Sequence, residues 1–184
     1  MNKYKILQDQ YIEVIGKKLY RVQALKDFDG VKAGDTGGYI ESESNLSQYD
    51  NAWVSDDARV YGNAWVYGDA RVYGNAQVFG DAWVSDDAWV YGNARVCGNA
   101  RASDTRHYLN LGPIGSRDGY TTIYRDKSKK AIVVCGCFHG DLDGFERAAH
   151  KTHAGTKYEA EYMALIQLAR LREKEWLENE RDST

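Results

Sequence analysis

Four histidines are the natural acid–base candidates of this chain, and all of them, His107, His139, His150 and His153, lie after residue 104. Cys135, Cys137 and His139 alternate, so on one strand their side chains would share a face. That is a conceivable zinc set. Ligands two apart on a strand chelate awkwardly, however, and no second Cys pair and no fourth ligand is evident. Reduced core cysteines and no metal or other cofactor are the expectation. Between residues 105 and 130, six cations (Arg106, Arg117, Arg125, Lys127, Lys129, Lys130) stand against two acids (Asp118, Asp126), a net of +4 around the turn GPIGSRDG. Backbone amides near Gly115, with Ser116 and the forked guanidinium of Arg117, could cradle a phosphate. The same glycines also suit an ordinary β-turn, and the pattern matches neither the P-loop nor the dinucleotide fingerprint. The run THAGTKY brings His153, Lys157 and Tyr158 together at the junction of two expected helices. They either cap and pack that junction or line one pocket with the Gly-rich turn.

The elements that must position these groups are written in a repeat. From Asn51 to Asp104 the chain reads as nine consecutive units of the form (Asn/Asp)-Ala-x-Val-(Tyr/Ser)-(Gly/Asp). Ala and Val are two apart and share one side of a strand, while the residue between them faces the other way. Six is not a helical period, and a glycine in every unit would cost a helix roughly 1 kcal/mol each. Strands of about four residues without hairpin chemistry do not make a meander. A parallel β-helix satisfies the pattern, with Ala and Val filling a narrow core and Asn, Asp and Gly turning the corners. Upstream, Ile40 and Leu46 hold the phase of the Ala column. LYRVQALKDF alternates like a strand, and KAGDTGGYI reads as a Gly-rich turn. Residues 1–39 are therefore expected to cap the open end of a solenoid spanning 40–104.

The repeat resembles the hexapeptide proteins with a left-handed parallel β-helix, in which three units form one triangular coil and trimers are the rule. If three units make a coil, residues 18 apart stack and the outward positions sort into three faces. Trp53, Arg71 and Trp89 share one, Arg59, Gln77 and Arg95 a second, and Trp65, Trp83 and Arg101 the third. Arg71 between two Trp suggests a cation–π stack. The ladders either merely clothe the solenoid or are buried against sister chains, since so many Trp on a solvated solenoid form a large apolar patch. In the second case Trp53, Trp65, Arg71, Trp83 and Trp89 mark the interface.

Residues 105–184 form a different module, a small α/β domain expected as three antiparallel strands and two helices. Asp126–Lys129 should be a hairpin turn and Asp141 or Asp143 an N-cap. Tyr158, Tyr162, Leu165, Ile166 and Ala169 make the apolar stripe of the second helix, and the charged tail should fray.

The chain has 184 residues, 24 Lys+Arg against 27 Asp+Glu, and three Cys. A slightly acidic chain is a poor general nucleic-acid binder. The low Cys count fits a reducing compartment, and no apolar run reaches the length of a membrane span. A cytoplasmic location is expected. Acyl transfer, the frequent activity of hexapeptide proteins, wants a base in or beside the coils, and the repeat holds no His. The segments LYRVQALKDF, GDTGGYIESE, GPIGSRDGYTT, CGCFHGDLDGFE and THAGTKYEAEYMALI resemble phage and prophage proteins that join a degenerate hexapeptide solenoid to a small α/β domain. Part of the C-terminal pattern is similar to the phage Thoeris anti-defence sponges. That resemblance implies non-enzymatic sequestration of a small phosphorylated cyclic nucleotide or cyclic ADP-ribose isomer in an infected or lysogenic bacterial cell. Carried onto this chain, it implies Arg117 and Thr122 in the hairpin region, Phe138 and Phe145 as an aromatic platform, and Arg170 or Arg172 on the last helix. A trimeric structural spacer, and more distantly an acyltransferase, remain the alternatives.

Overall fold

The computed structural model describes residues 2–178; the charged tail expected to fray falls largely outside them. The chain divides into two compact units, Met1–Thr105 and Arg106–Thr184.

In the N-terminal unit, β1 (Tyr4–Val14), β2 (Lys17–Ala24) and β3 (Thr36–Ile40) precede nine two-residue strands. These are β4 (Trp53–Val54), β5 (Arg59–Val60), β6 (Trp65–Val66), β7 (Arg71–Val72), β8 (Gln77–Val78), β9 (Trp83–Val84), β10 (Trp89–Val90), β11 (Arg95–Val96) and β12 (Arg101–Ala102). Each pairs in parallel with the strand 18 residues away, as Trp53 with Arg71 and Arg71 with Trp89. Amides of one coil donate to carbonyls of the next, for example Trp53 N to Ala70 O at 3.0 Å and Arg71 N to Ala88 O at 2.9 Å. The backbone of a coil is thus satisfied by its neighbours. The Ala and Val columns are buried throughout the array. This is a parallel β-solenoid whose three faces carry the outward residues in the groups that the 18-residue stacking predicts.

Two features of the first coil differ from expectation. Ile40 pairs with Val60 and Leu46 with Val66, so they stack on the Val column and not on the Ala column. The chain inserts two residues between Leu46 and Val54, around Asp50 at φ +55°. An even shift leaves inward side chains inward. KAGDTGGYI is also not all turn, because Thr36–Ile40 is a strand lying on the first coil. A Cβ at Gly37 would come within 2.6 Å of the Val54 carbonyl, and one at Gly38 equally close to that of Ala58. Those glycines mark close backbone approach.

The cap is built on two buried polar side chains. Asn45 donates to the carbonyls of Gly62 (3.0 Å) and Ala64 (2.8 Å) and accepts from Ser42 N (2.9 Å). Lys3 is fully buried and donates to the carbonyls of Ala52 (2.7 Å) and Tyr49 (3.1 Å). Burial drives the Lys3 ammonium from its ordinary value near 10.5 down to about 8, against the pull of Asp50. The unfolded chain therefore binds more protons than the folded one above pH 8, and stability should rise with pH from about 8 to about 10. Beyond that, the raised Tyr4 hydroxyl, also desolvated, works in the opposite direction. Urea midpoints of the wild type at pH 7.5 and 9.5 should differ with this sign, and Lys3→Met should flatten the difference.

The C-terminal unit has four strands, one more than the sequence predicts: β13 (Tyr108–Ile114), β14 (Gly119–Arg125), β15 (Ala131–Cys135) and β16 (Phe138–Asp141), antiparallel in that order. Helices α1 (Leu142–His153) and α2 (Lys157–Glu178) follow, with Asp141 capping α1 through Gly144 N at 2.7 Å. Asp126 closes the β14–β15 hairpin by accepting from Ser128 N and Lys130 N. Cys135, Cys137 and His139 do not share one strand. Gly136 at φ +57° and Cys137 form a two-residue turn, so Cys135 pairs with Phe138 across it and Cys137 is exposed rather than in the core. A glycine at the first turn position is hairpin chemistry. The core joins Ile123 and Val133 to Phe145, Tyr162, Leu165, Ile166, Ala169 and Trp176.

Candidate functional site

Two regions could act on another molecule: the aromatic faces of the solenoid and the Gly-rich turn of the C-terminal unit. On the solenoid, Trp65 and Trp83 stand outward on one face, 38% and 40% exposed, with ring centroids 5.9 Å apart. Tyr67 stacks on Trp65 at 4.1 Å, and the Arg101 guanidinium lies 4.2 Å over Trp83. The Trp-stacking arginine is thus Arg101. Arg71 instead sends its guanidinium to the carbonyl and carboxylate of Asp29 in the cap loop. Trp53 is likewise removed from any interface, because Tyr4 (6.5 Å) and Phe28 (5.4 Å) of the cap cover it. On the face that Trp53 shares with Arg71 and Trp89 only the far end stays open: Trp89 is 51% exposed, beside Tyr91, which stacks on Tyr73 at 5.3 Å. The Tyr column at the corners forms ladders of its own, Tyr61 on Phe79 (5.1 Å) as well as Tyr73 on Tyr91. The fifth repeat position, read from sequence as Tyr or Ser, carried that signal.

In the C-terminal unit the turn between β13 and β14 runs from Gly115 (φ +74°) to Asp118 (φ +47°). It meets the junction of α1 and α2 at Tyr162, whose hydroxyl would lie 1.8 Å from a Cβ on Gly115. His153 packs 6.1 Å from Tyr158 and 5.5 Å from Tyr162, and the Lys157 ammonium sits 5.0 Å over the Tyr158 ring. Turn and junction therefore do come together. Burial above all, and then the neighbouring Cys135 thiol, push the Tyr162 hydroxyl up to about 12, while Arg117 pulls the other way. Ser116 and Arg117 are exposed. The expected anion nest is already answered, however: Gly115 N donates to the Glu161 carboxylate at 2.9 Å. A carboxylate on that amide repels a phosphate there.

Other expected ligand contacts are placed elsewhere. Thr122 is buried and bonds Asn110 Oδ1 at 3.1 Å. Phe145 is buried in the core, with half-buried Phe138 at 5.2 Å, so the pair is packing rather than an open platform. Arg170 is exposed but bridges to Asp143 (3.0 Å) and Glu146 on α1, and Arg172 lies 3.5 Å from Glu175. The +4 segment is also split. Arg117 is at one end of β14 and Lys127, Lys129 and Lys130 at the other, about 20 Å away for a seven-residue strand at roughly 3.3 Å per residue. The charges are neighbours in sequence and not in space. Among the described residues, no group of three His, Cys, Asp or Glu side chains is placed to hold a metal ion, and no helix is long and apolar enough to cross a membrane.

No curated protein shows significant similarity to the chain. A family model, the YdcK beta solenoid repeat, matches four overlapping stretches, residues 52–68, 64–78, 70–86 and 76–92, all inside the hexapeptide array. Together with the stacked coils, this identifies the chain as a repeat β-solenoid protein.

Proposed function

We propose that this protein is a non-catalytic, self-assembling scaffold. Its solenoid would associate with sister chains through the Trp65–Trp83 face and the Trp89–Tyr91 corner, and so display the C-terminal α/β units in multiple copies. The observation that carries this is the pair of exposed Trp/Tyr patches on a solenoid whose other outward positions are Arg, Gln or covered Trp. Large aromatic side chains are the usual anchors of protein interfaces. Two different patches on one protomer make a head-to-tail contact, which closes into a ring when the rotation between protomers closes, and three is the number that the hexapeptide resemblance implies. Each of the four histidines, the natural acid–base candidates, makes a contact within the C-terminal unit. His139 bonds the Tyr124 hydroxyl, His150 the Glu159 carboxylate, His107 packs on Trp176 and His153 on two tyrosines. The mass of the full chain in solution tests the assembly.

A second reading, capture of a phosphorylated cyclic nucleotide by a phage-type sponge, has one observation in its favour: the Gly-rich turn and the helix junction meet at Tyr162 with Arg117 exposed. Glu161 on the Gly115 amide weighs against it. Cyclic di- and trinucleotides and cyclic ADP-ribose isomers should then raise the unfolding midpoint of wild type and not of Arg117→Ala. An unshifted wild type removes this reading and leaves the scaffold.

A further inference from the structure

One face of the solenoid belongs to neither Trp patch. On it residues stand in register across neighbouring strands: Arg21 opposite Tyr39, Tyr39 opposite Arg59, Arg59 opposite Gln77 and Gln77 opposite Arg95. Neighbouring strands lie about 4.8 Å apart, so an arginine recurs every ~9.6 Å along a row of about 19 Å. Arg21 is anchored, 4.3 Å over the Tyr39 ring and donating to the Gly37 and Asp56 carbonyls and to Asp57. Arg95 is exposed and lies 5.7 Å over the Phe79 ring. Arg59, between them, is half-buried, and among the described residues it has neither an ion pair nor a side-chain hydrogen bond. Acids are scarce beside the row. Two positions before Arg59, Gln77 and Arg95 stand Asp57, Asn75 and Asn93, and two positions after them Tyr61, Phe79 and Cys97. Asp57 is bonded to Arg21, and Glu41, two residues past Tyr39, is held by Lys17 (2.8 Å) and Gly62 N (2.7 Å).

Guanidinium groups fork onto carboxylates, and a rigid row of them selects carboxylates at its own interval. A polyproline II chain has three residues per turn and rises 3.1 Å per residue, so every third side chain returns to one face after about 9.3 Å. Over the two intervals of the row it slips by only ~0.6 Å. Alternate residues of an extended strand recur after about 6.7 Å, and residues seven apart on an α-helix after about 10.5 Å. Over two intervals these miss the arginines by roughly 6 and 2 Å. A single-stranded nucleic acid fits less well, because its bases need open aromatic faces. Here the Tyr39 ring carries Arg21, and the Phe79 ring carries Tyr61 and Arg95.

We infer that this row binds an acidic partner peptide in the polyproline II conformation, with Asp or Glu at every third residue and Arg59 in the central ion pair. The row is complete in a single protomer, so the inference holds whether or not the solenoids associate. The probe is a fluorescein-labelled nonapeptide of three Glu-Pro-Pro repeats, titrated with the full chain at low ionic strength, where exposed charges are least screened, and read by fluorescence anisotropy. It should bind saturably. Arg59→Gln should weaken binding about tenfold or more, as befits a lost bond to a charged group. Gln77→Glu, which places an acid inside the row, should weaken it similarly, and it keeps the test decisive if Arg59→Gln melts below wild type. A nonapeptide of the same composition with its three Glu at alternate positions can meet fewer of the arginines and should bind about fivefold or more weakly. The double variant Trp65→Ser, Trp83→Ser should bind the repeat peptide as wild type does. Absent binding, binding that neither row variant changes, or equal affinity for the alternate-spaced peptide overturns the inference. Tighter binding of a single-stranded oligothymidylate overturns the peptide as the partner.

Discussion

Replacing Gly68 by valine is expected to destabilise the N-terminal unit by roughly 2–5 kcal/mol, the sum of a left-handed backbone penalty of about 1–2 and an overpacking cost of about 1–3. Gly68 sits at φ +67° in a corner column, and a Cβ there would lie 2.7 Å from the Asp86 amide nitrogen and 3.1 Å from its Cα. Both atoms belong to the backbone of the next coil, so relief requires the coils to part. The protein itself places Asp56 and Asp86 in this column, at φ +56° and +50°, and the Asp56 carboxylate accepts from Gly74 N at 2.9 Å. Gly68→Asp meets the same Cβ contacts but tolerates the left-handed backbone better, so it should lose less than Gly68→Val by up to the backbone part of about 1–2 kcal/mol. Denaturation followed by circular dichroism measures both. Equal losses would assign the cost to space alone and not to backbone conformation.

Replacing both Trp65 and Trp83 by serine is expected to dissociate the assembly, weakening association by more than a hundredfold if each anchor contributes about 2 kcal/mol or more. The protomer should stay folded, because both side chains point away from the Ala–Val core and touch mainly each other, Tyr67 and Arg101. Trp53→Ser is the informative contrast. Trp53 is covered by Tyr4 and Phe28, so its loss should lower the stability of the cap and leave assembly unchanged. Light scattering and thermal melts on the three proteins separate the two effects. A double variant that remains assembled would move the interface off this face.

The solenoid is legible because each unit repeats the same local choice: a small inward pair, one outward residue and a corner that accepts positive φ. Such agreement between levels is what makes a fold readable. Where the repeat decays the reading slips. Nothing local marks the two inserted residues that move Ile40 and Leu46 onto the Val column, since an even shift keeps the alternation intact. The Gly37–Gly38 pair reads equally as a turn or as close approach, and only the coil beneath it decides. In the C-terminal unit, sequence proximity stood in for spatial proximity and failed. Arg117 and Lys127–Lys130 lie at opposite ends of one strand, and Phe145 and Thr122 face the core or a strand neighbour. Glu161, which takes the Gly115 amide, is 46 residues away in the chain, and no local pattern announces that contact. Trp53 and Arg71 look like surface positions in the sequence because the solenoid pattern is blind to the cap residues that cover them.

The claim that the Trp-bearing faces join sister chains is tested most directly by sedimentation equilibrium of the full chain at micromolar concentration and physiological salt. The account predicts a species of three times the 20.8 kDa chain mass. A single species at the chain mass, with the fold intact, would contradict it.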